Sequence, residues 1–114
     1  MHPFQPRRVL AALTLAAVAA VTMATASAAR AQGDALVVMK NFDFSPMAVT
    51  VPAGASVTWK NLDGEPHTVT SVDGLFRSGA LDQGETFTFK FAKPGVYRYL
   101  CSIHPRMTAS VTVK

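Results

Sequence analysis

The run Thr86-Phe87-Thr88-Phe89-Lys90-Phe91 alternates polar and aromatic residues without a break. A period of two places the three phenyl rings on one face of a β-strand, whereas a helix would scatter them around its circumference. The same alternation recurs from Ala35 onward. It predicts strands over Leu36 to Lys40, Ala48 to Val51 with Val49 and Val51 on one face, and Ser56 to Asn61 with Val57 and Trp59 together. It predicts further strands over the β-branched stretch His67 to Ser71, over Val96 to Cys101 with Tyr97, Tyr99 and Cys101 on one face, and over Ala109 to Val113. Pro52-Ala53-Gly54 and Lys93-Pro94-Gly95 punctuate as turns, and the second is expected to close a hairpin between the strands around it. Residues 72–84 read as a long irregular connection anchored by Leu75, Phe76 and Leu81, and Trp59, Met39 and Met47 are expected in the core. No stretch carries a long helical period, so the expected fold is all-β: about seven short strands in an antiparallel Greek-key sandwich or barrel.

The first thirty-one residues follow a different pattern. Arg7 and Arg8 form a positive head, Val9 to Ala29 is uncharged and mostly apolar, and Ala29-Arg30-Ala31 supplies small residues at a signal-peptidase spacing. We read residues 1–31 as a secretory signal peptide cut before Gln32, with Ala26-Ser27-Ala28 as an alternative site, and residues 32–114 as one domain. An uncleaved membrane anchor fits by length, but small residues dominate the second half of the segment. The expected destination is the periplasm by the general secretory route, or by the twin-arginine route that Arg7-Arg8 permits. Without Arg7, Arg8 and Arg30, eight Lys and Arg face seven Asp and Glu, and the net charge falls from +4 to +1. The basic balance therefore belongs to the leader, and the domain lacks the basic stripe that nucleic-acid binding requires. We expect no membrane association after cleavage, and a monomer.

Outside the leader the chain holds one cysteine, Cys101, and two histidines, His67 and His104. The segment Cys101-Ser102-Ile103-His104-Pro105-Arg106-Met107 sets thiol, imidazole and thioether at three-residue intervals. Singly, Cys101 is an ordinary buried small hydrophobe and Met107 a gap filler. Together with His67 they form a His2Cys set with a thioether in reserve, the donor chemistry of a blue-copper centre with a weak axial Met. We therefore expect one copper ion held by His67, Cys101, His104 and Met107, with Cys101 binding as the thiolate. A Cys-His nucleophile is disfavoured, because both residues share one tight loop with no oxyanion arrangement beside them. Asp63 and Glu65 read as solvated loop residues.

At these residues the sequence resembles the cupredoxin family, the type 1 blue copper proteins, over essentially the whole of residues 32–114. The resemblance is carried by Asn61 to Ser71 with Pro66-His67, by Phe76-Arg77-Ser78-Gly79, by Gly84-Glu85-Thr86-Phe87, and by Pro94 through Cys101. The short Cys-x-x-His-Pro-x-Met loop is most similar to the amicyanin-like and pseudoazurin-like branch. It implies a small β-sandwich electron carrier, with His67, Cys101 and His104 as equatorial ligands and Met107 axial. Thr68 stands where many members carry Asn, so bracing of the site must come from a hydroxyl or backbone bond. Arg106 takes the place of an aromatic residue.

The expected function is one-electron transport between redox proteins, not catalysis. Copper homeostasis, meaning storage or delivery without redox turnover, is the alternative that shares the same ligands. His104, followed by Pro105, is expected to be the exposed ligand and the electron port, with donor and acceptor docking on Ile103, Pro105, Arg106 and Pro66.

Overall fold

The computed structural model describes residues 33–114 and, before them, only residues 3, 4, 16 and 17. The leader expected over 1–31 thus lies, but for those four positions, outside the described residues. Eight strands follow: β1 Ala35–Lys40, β2 Asp43–Ser45, β3 Ala48–Val51, β4 Ser56–Asn61, β5 Thr70–Ser71, β6 Thr86–Lys90, β7 Gly95–Leu100 and β8 Thr108–Val113. They form two four-stranded sheets, ordered β2-β1-β4-β6 and β3-β8-β7-β5. The all-β sandwich expected from the alternation is the fold observed.

The pairing departs from expectation in two ways. The sheets are mixed, because β1 pairs with β4 in parallel and β3 pairs with β8 in parallel. The turn at Pro94-Gly95 does not close a hairpin: β6 pairs with β4, while β7 pairs with β8 and β5 in the other sheet. The Pro52-Ala53-Gly54 turn likewise passes from β3 in one sheet to β4 in the other. There Ala55 N–H donates to Pro52 O at 3.1 Å and Gly54 adopts a φ of +91°, the left-handed position that a glycine occupies without a steric cost. Gly54 N–H donates to Phe91 O and Ala53 N–H to Lys114 O, so this turn ties the two sheets at the end of the sandwich opposite the ligands.

Between the sheets lie Val37, Met39, Phe44, Val57, Trp59, Phe91, Tyr99 and Val111, all at most 1% exposed. Trp59 is packed among Tyr99, Phe76, Phe87 and Phe91 at ring-centroid distances of 5.4, 5.7, 5.8 and 6.5 Å. Such aromatic pairs add roughly 0.5–1.5 kcal/mol each beyond the area they bury. Phe76 and Leu81 anchor the irregular connection as expected, but Leu75 does not: it lies at the tip of a turn closed by Leu75 N–H on Asp73 Oδ1, and is exposed. Met47 is also exposed, at 58%, because it sits where the chain crosses between sheets after Pro46 and only its carbonyl is used, accepting from Ser110 N–H.

The β-branched stretch His67 to Ser71 is strand only over Thr70–Ser71. His67 makes an isolated bridge with Leu81, and Val69 exchanges bonds with Ser78, its N–H donating to Ser78 Oγ at 2.8 Å and its carbonyl accepting from Ser78 N–H at 2.9 Å. The irregular connection thereby supplies the partners that a neighbouring strand would otherwise provide. Among the described residues, no helix is long and apolar enough to cross a membrane.

Candidate metal centre

Asn61 ends β4 fully buried, and its side chain builds the loop that follows. Its Nδ2 donates to the carbonyls of Glu65 and Leu81 at 2.8 and 2.9 Å, and its Oδ1 accepts from Asp63 N–H at 2.9 Å. This Asx-turn fixes Asp63. The bridge of His67 to Leu81, with N–H···O distances of 3.1 and 2.7 Å in the two directions, then fixes the backbone of His67.

Asp63 is not the solvated loop residue expected. Its Oδ2 accepts from the His67 Nε2–H at 2.8 Å and from Phe42 N–H at 3.0 Å, and its Oδ1 accepts from Asn41 N–H at 2.8 Å. Burial pushes this carboxyl upward, but the Phe42 N–H, the His67 ring and the Asn41 N–H outweigh it, and the group titrates below its usual range. With the Nε2 proton committed to Asp63, the His67 ring keeps a lone pair on Nδ1. Glu65 is exposed, as expected.

Cys101 follows β7 and is fully buried. The loop after it closes on itself: Cys101 N–H donates to Met107 O at 3.0 Å and Met107 N–H to His104 O at 2.9 Å. Leu100 and Thr108 are paired residues of β7 and β8, so the loop is the connection of a true hairpin. Met107 is buried beside the start of β8. Together with Phe42, Asp43, Ile103, Pro105 and Arg106 it lines a shallow cleft at His104.

Thr68 provides the bracing that the sequence required of a hydroxyl or a backbone bond, and it uses both. Its N–H donates to Cys101 Sγ at 3.3 Å, and its Oγ1 accepts from Ser102 N–H at 2.8 Å while contacting the hydroxyls of Ser102 and Thr70 at 2.9 and 3.0 Å. The segment that bears His67 and the loop that bears His104 are joined through one threonine.

The outcome is a convergence of donor atoms. His67 Nδ1 and His104 Nδ1 lie 3.2 Å apart, and each lies 3.8 Å from Cys101 Sγ. A first-row ion about 2.0 Å from each imidazole nitrogen and about 2.3 Å from a thiolate, the usual bond lengths, separates its donors by roughly 3.3–3.8 Å. The spacing therefore fits a single ion, and two imidazoles with one thiolate suit copper. His67 and Cys101 are fully buried and His104 is partly exposed. Among the described residues His67, Cys101 and His104 are also the one group of three or more His, Cys, Asp or Glu whose ligand atoms lie within 4.8 Å of one another. Asp63, Asn61, Phe42 and Ser102 escaped the sequence reading. The signal for Asp63 was available in the Asn-x-Asp turn spacing and in its place four residues before His67.

Residues 12–113 match the family described as the cupredoxin-like domain, and the chain belongs to that family. Amicyanin-alpha of Methylorubrum extorquens is 33% identical over 109 residues, spanning 91% of this chain and 87% of that protein. A plastocyanin of Scenedesmus fuscus is 33% identical over 84 residues, spanning 62% of this chain and 86% of that one. Among solved structures, a purple cupredoxin from Nitrosopumilus maritimus superposes with a TM-score of 0.66 at 36% identity, covering 71% of this chain and all of that one. Copper is the cofactor of the family, and the amicyanin and plastocyanin relatives that this chain matches are electron carriers and not enzymes.

Proposed function

We propose that the chain is a periplasmic one-electron carrier, monomeric, which holds one copper ion through His67, Cys101 and His104 as strong ligands and Met107 as a weak fourth. The carrying observation is the division of exposure among these residues: His67, Cys101 and Met107 are buried, and His104 alone is partly open at the surface. Bound copper supplies a Cu(II)/Cu(I) couple. Fast exchange demands that the donors hardly move between the two states, and the hydrogen bonds on His67, Cys101 and the 101–107 loop hold them in place from outside the coordination shell. An exposed imidazole gives a partner protein a short route to the buried sulfur.

Docking then falls on the rim of His104. Ile103 is 45% exposed, Pro105 and Arg106 are exposed, and Pro66 is partly exposed, a small apolar patch with one cation. The export reading of residues 1–31 supports the periplasm as the place where donor and acceptor meet.

The test is the visible spectrum of the purified protein loaded with copper. An intense thiolate-to-copper band that vanishes in Cys101→Ala is the expected result. A colourless Cu(I) protein that surrenders its metal to a chelator reassigns the chain to copper homeostasis.

A further inference from the structure

The turn between β1 and β2 is built against its own sequence preference. Asn41 and Phe42 both have positive φ, 54° and 59°, and Lys40 faces Asp43 in the register, so this is a two-residue hairpin turn of the type that favours Asn-Gly. Asn suits its position. Phenylalanine occupies the place of glycine, where a bulky side chain is strained and persists only when its surroundings over-determine it. The carboxylate of Asp63 does so, by accepting the N–H groups of both turn residues. The strained position carries the phenyl ring of Phe42 edge-on to both imidazoles, at 5.3 Å and 84° from His67 and at 5.0 Å and 89° from His104. The same carboxylate takes the Nε2–H of His67.

We propose that Asp63 is a positioning residue of the copper centre, which makes His67 a stronger ligand for Cu(II) than for Cu(I) and holds Phe42 as a cap over both imidazoles. The proposal rests on His67 and His104 being copper ligands. Three hydrogen bonds converge on one carboxylate, two from the β1–β2 turn and one from a ligand ring, so the imidazole and its cap are held by a single group. A charged acceptor makes a bond roughly twice as strong as a neutral one. The negative charge behind Nε2 raises the electron density at Nδ1, and a more basic imidazole favours the ion of higher charge. Asp63 thus keeps the reduction potential down. Phe42, 46% exposed, covers the imidazole edges next to solvent, so the two rings neither turn nor admit water freely while the domain is folded.

The test compares wild type, Asp63→Asn, Asp63→Glu and Phe42→Gly by redox titration of the copper-loaded proteins, by the rate of copper loss to a chelator, and by urea unfolding of the copper-free proteins. Asp43→Asn removes an equal charge from the neighbouring surface and serves as control. Asp63→Asn is expected to lose at least tenfold more affinity for Cu(II) than for Cu(I), read as a rise of about 59 mV for a one-electron couple. The rise should exceed that of Asp43→Asn, and Asp63→Glu should recover part of it. Phe42→Gly should unfold at higher urea than wild type yet lose copper several-fold faster, a split that a merely structural turn does not produce. A potential in Asp63→Asn that moves no more than in Asp43→Asn overturns the electronic role, and unchanged copper loss in Phe42→Gly overturns the cap. Absence of a blue band in wild type overturns instead the ligand assignment beneath both. If Asp63→Asn does not fold, nitrogen NMR of the wild-type His67 ring decides the first point: a proton on Nε2 in the copper-free protein supports it, and a proton on Nδ1 alone overturns it.

Discussion

The main-chain N–H of Thr68 points at the sulfur of Cys101 from 3.3 Å, although the two residues stand thirty-three positions apart in the chain. The Thr68 side chain meanwhile accepts from Ser102 N–H, so the first residue after one histidine and the first residue after the cysteine are locked together. Thr68→Val keeps the shape and deletes the hydroxyl, leaving Ser102 N–H without its acceptor. We expect a loss of about 0.5–1.5 kcal/mol, the usual net worth of one hydrogen bond, since Ser102 is exposed and water can reach its N–H. In a domain of this size each kcal/mol lowers Tm by roughly 4–8 °C, so calorimetry of the copper-free variant reads the effect directly.

Metal removal is expected to cost more than any single hydrogen bond. Ligand that binds only the folded state stabilises it by about 4 kcal/mol at a concentration a thousand times its dissociation constant. Copper-loaded protein should therefore unfold well above the copper-free form, and Cys101→Ser should abolish the difference. Equal melting curves with and without copper in the wild type would contradict the site.

Replacing Ile103 by Asp places a charge on the rim of His104 without touching a donor atom. The absorption spectrum should remain that of the wild type, while the second-order rate of electron exchange with a redox partner falls roughly tenfold or more. Stopped-flow mixing checks both in one sample. An unchanged rate removes Ile103 from the docking surface.

Tyr99 makes a pH prediction. Its hydroxyl is buried with no hydrogen-bond partner among the described residues, and burial pushes its pKa from 10.0 up to about 12, with the Trp59 indole working the other way. The folded protein holds this proton more tightly than the unfolded chain, so the contribution is full below pH 10 and is lost as pH rises through 12. At about 1.4 kcal/mol per pKa unit the loss is of the order of 2–3 kcal/mol. Urea midpoints should fall between pH 9 and pH 11.5, and Tyr99→Phe should flatten that fall while matching or exceeding the wild type near neutrality, since it removes an unpaired buried oxygen.

The convergence of His67, Cys101 and His104 was legible in the sequence because scarcity did the sorting: one cysteine and two histidines outside the leader leave no rival combination. The strands were legible because period two survives burial on one face. Strand partners were not. Alternation says which side chains point inward and nothing about which strand lies alongside, so the short Pro94-Gly95 connection looked like a hairpin when it is a step from one sheet to the other. Met47 and Leu75 were misplaced for a related reason, since an apolar residue at a crossover or turn tip has no sheet behind it. The supports of the centre stayed hidden because their partners are main-chain groups, and a carboxylate that accepts from Asn41 and Phe42 leaves no trace in the spacing of either segment.

β3 and β8 run side by side in parallel, joined from Ala48↔Ser110 to Val51↔Val113. No local turn can bring such strands together, so this sheet closes only when β8 has joined it, and pairings of that separation are slow to form. Three of the four proposed donors sit just ahead of that final strand. Pairing of β7 with β8 closes the loop that carries these three, so the proposed donors come together only as this sheet forms.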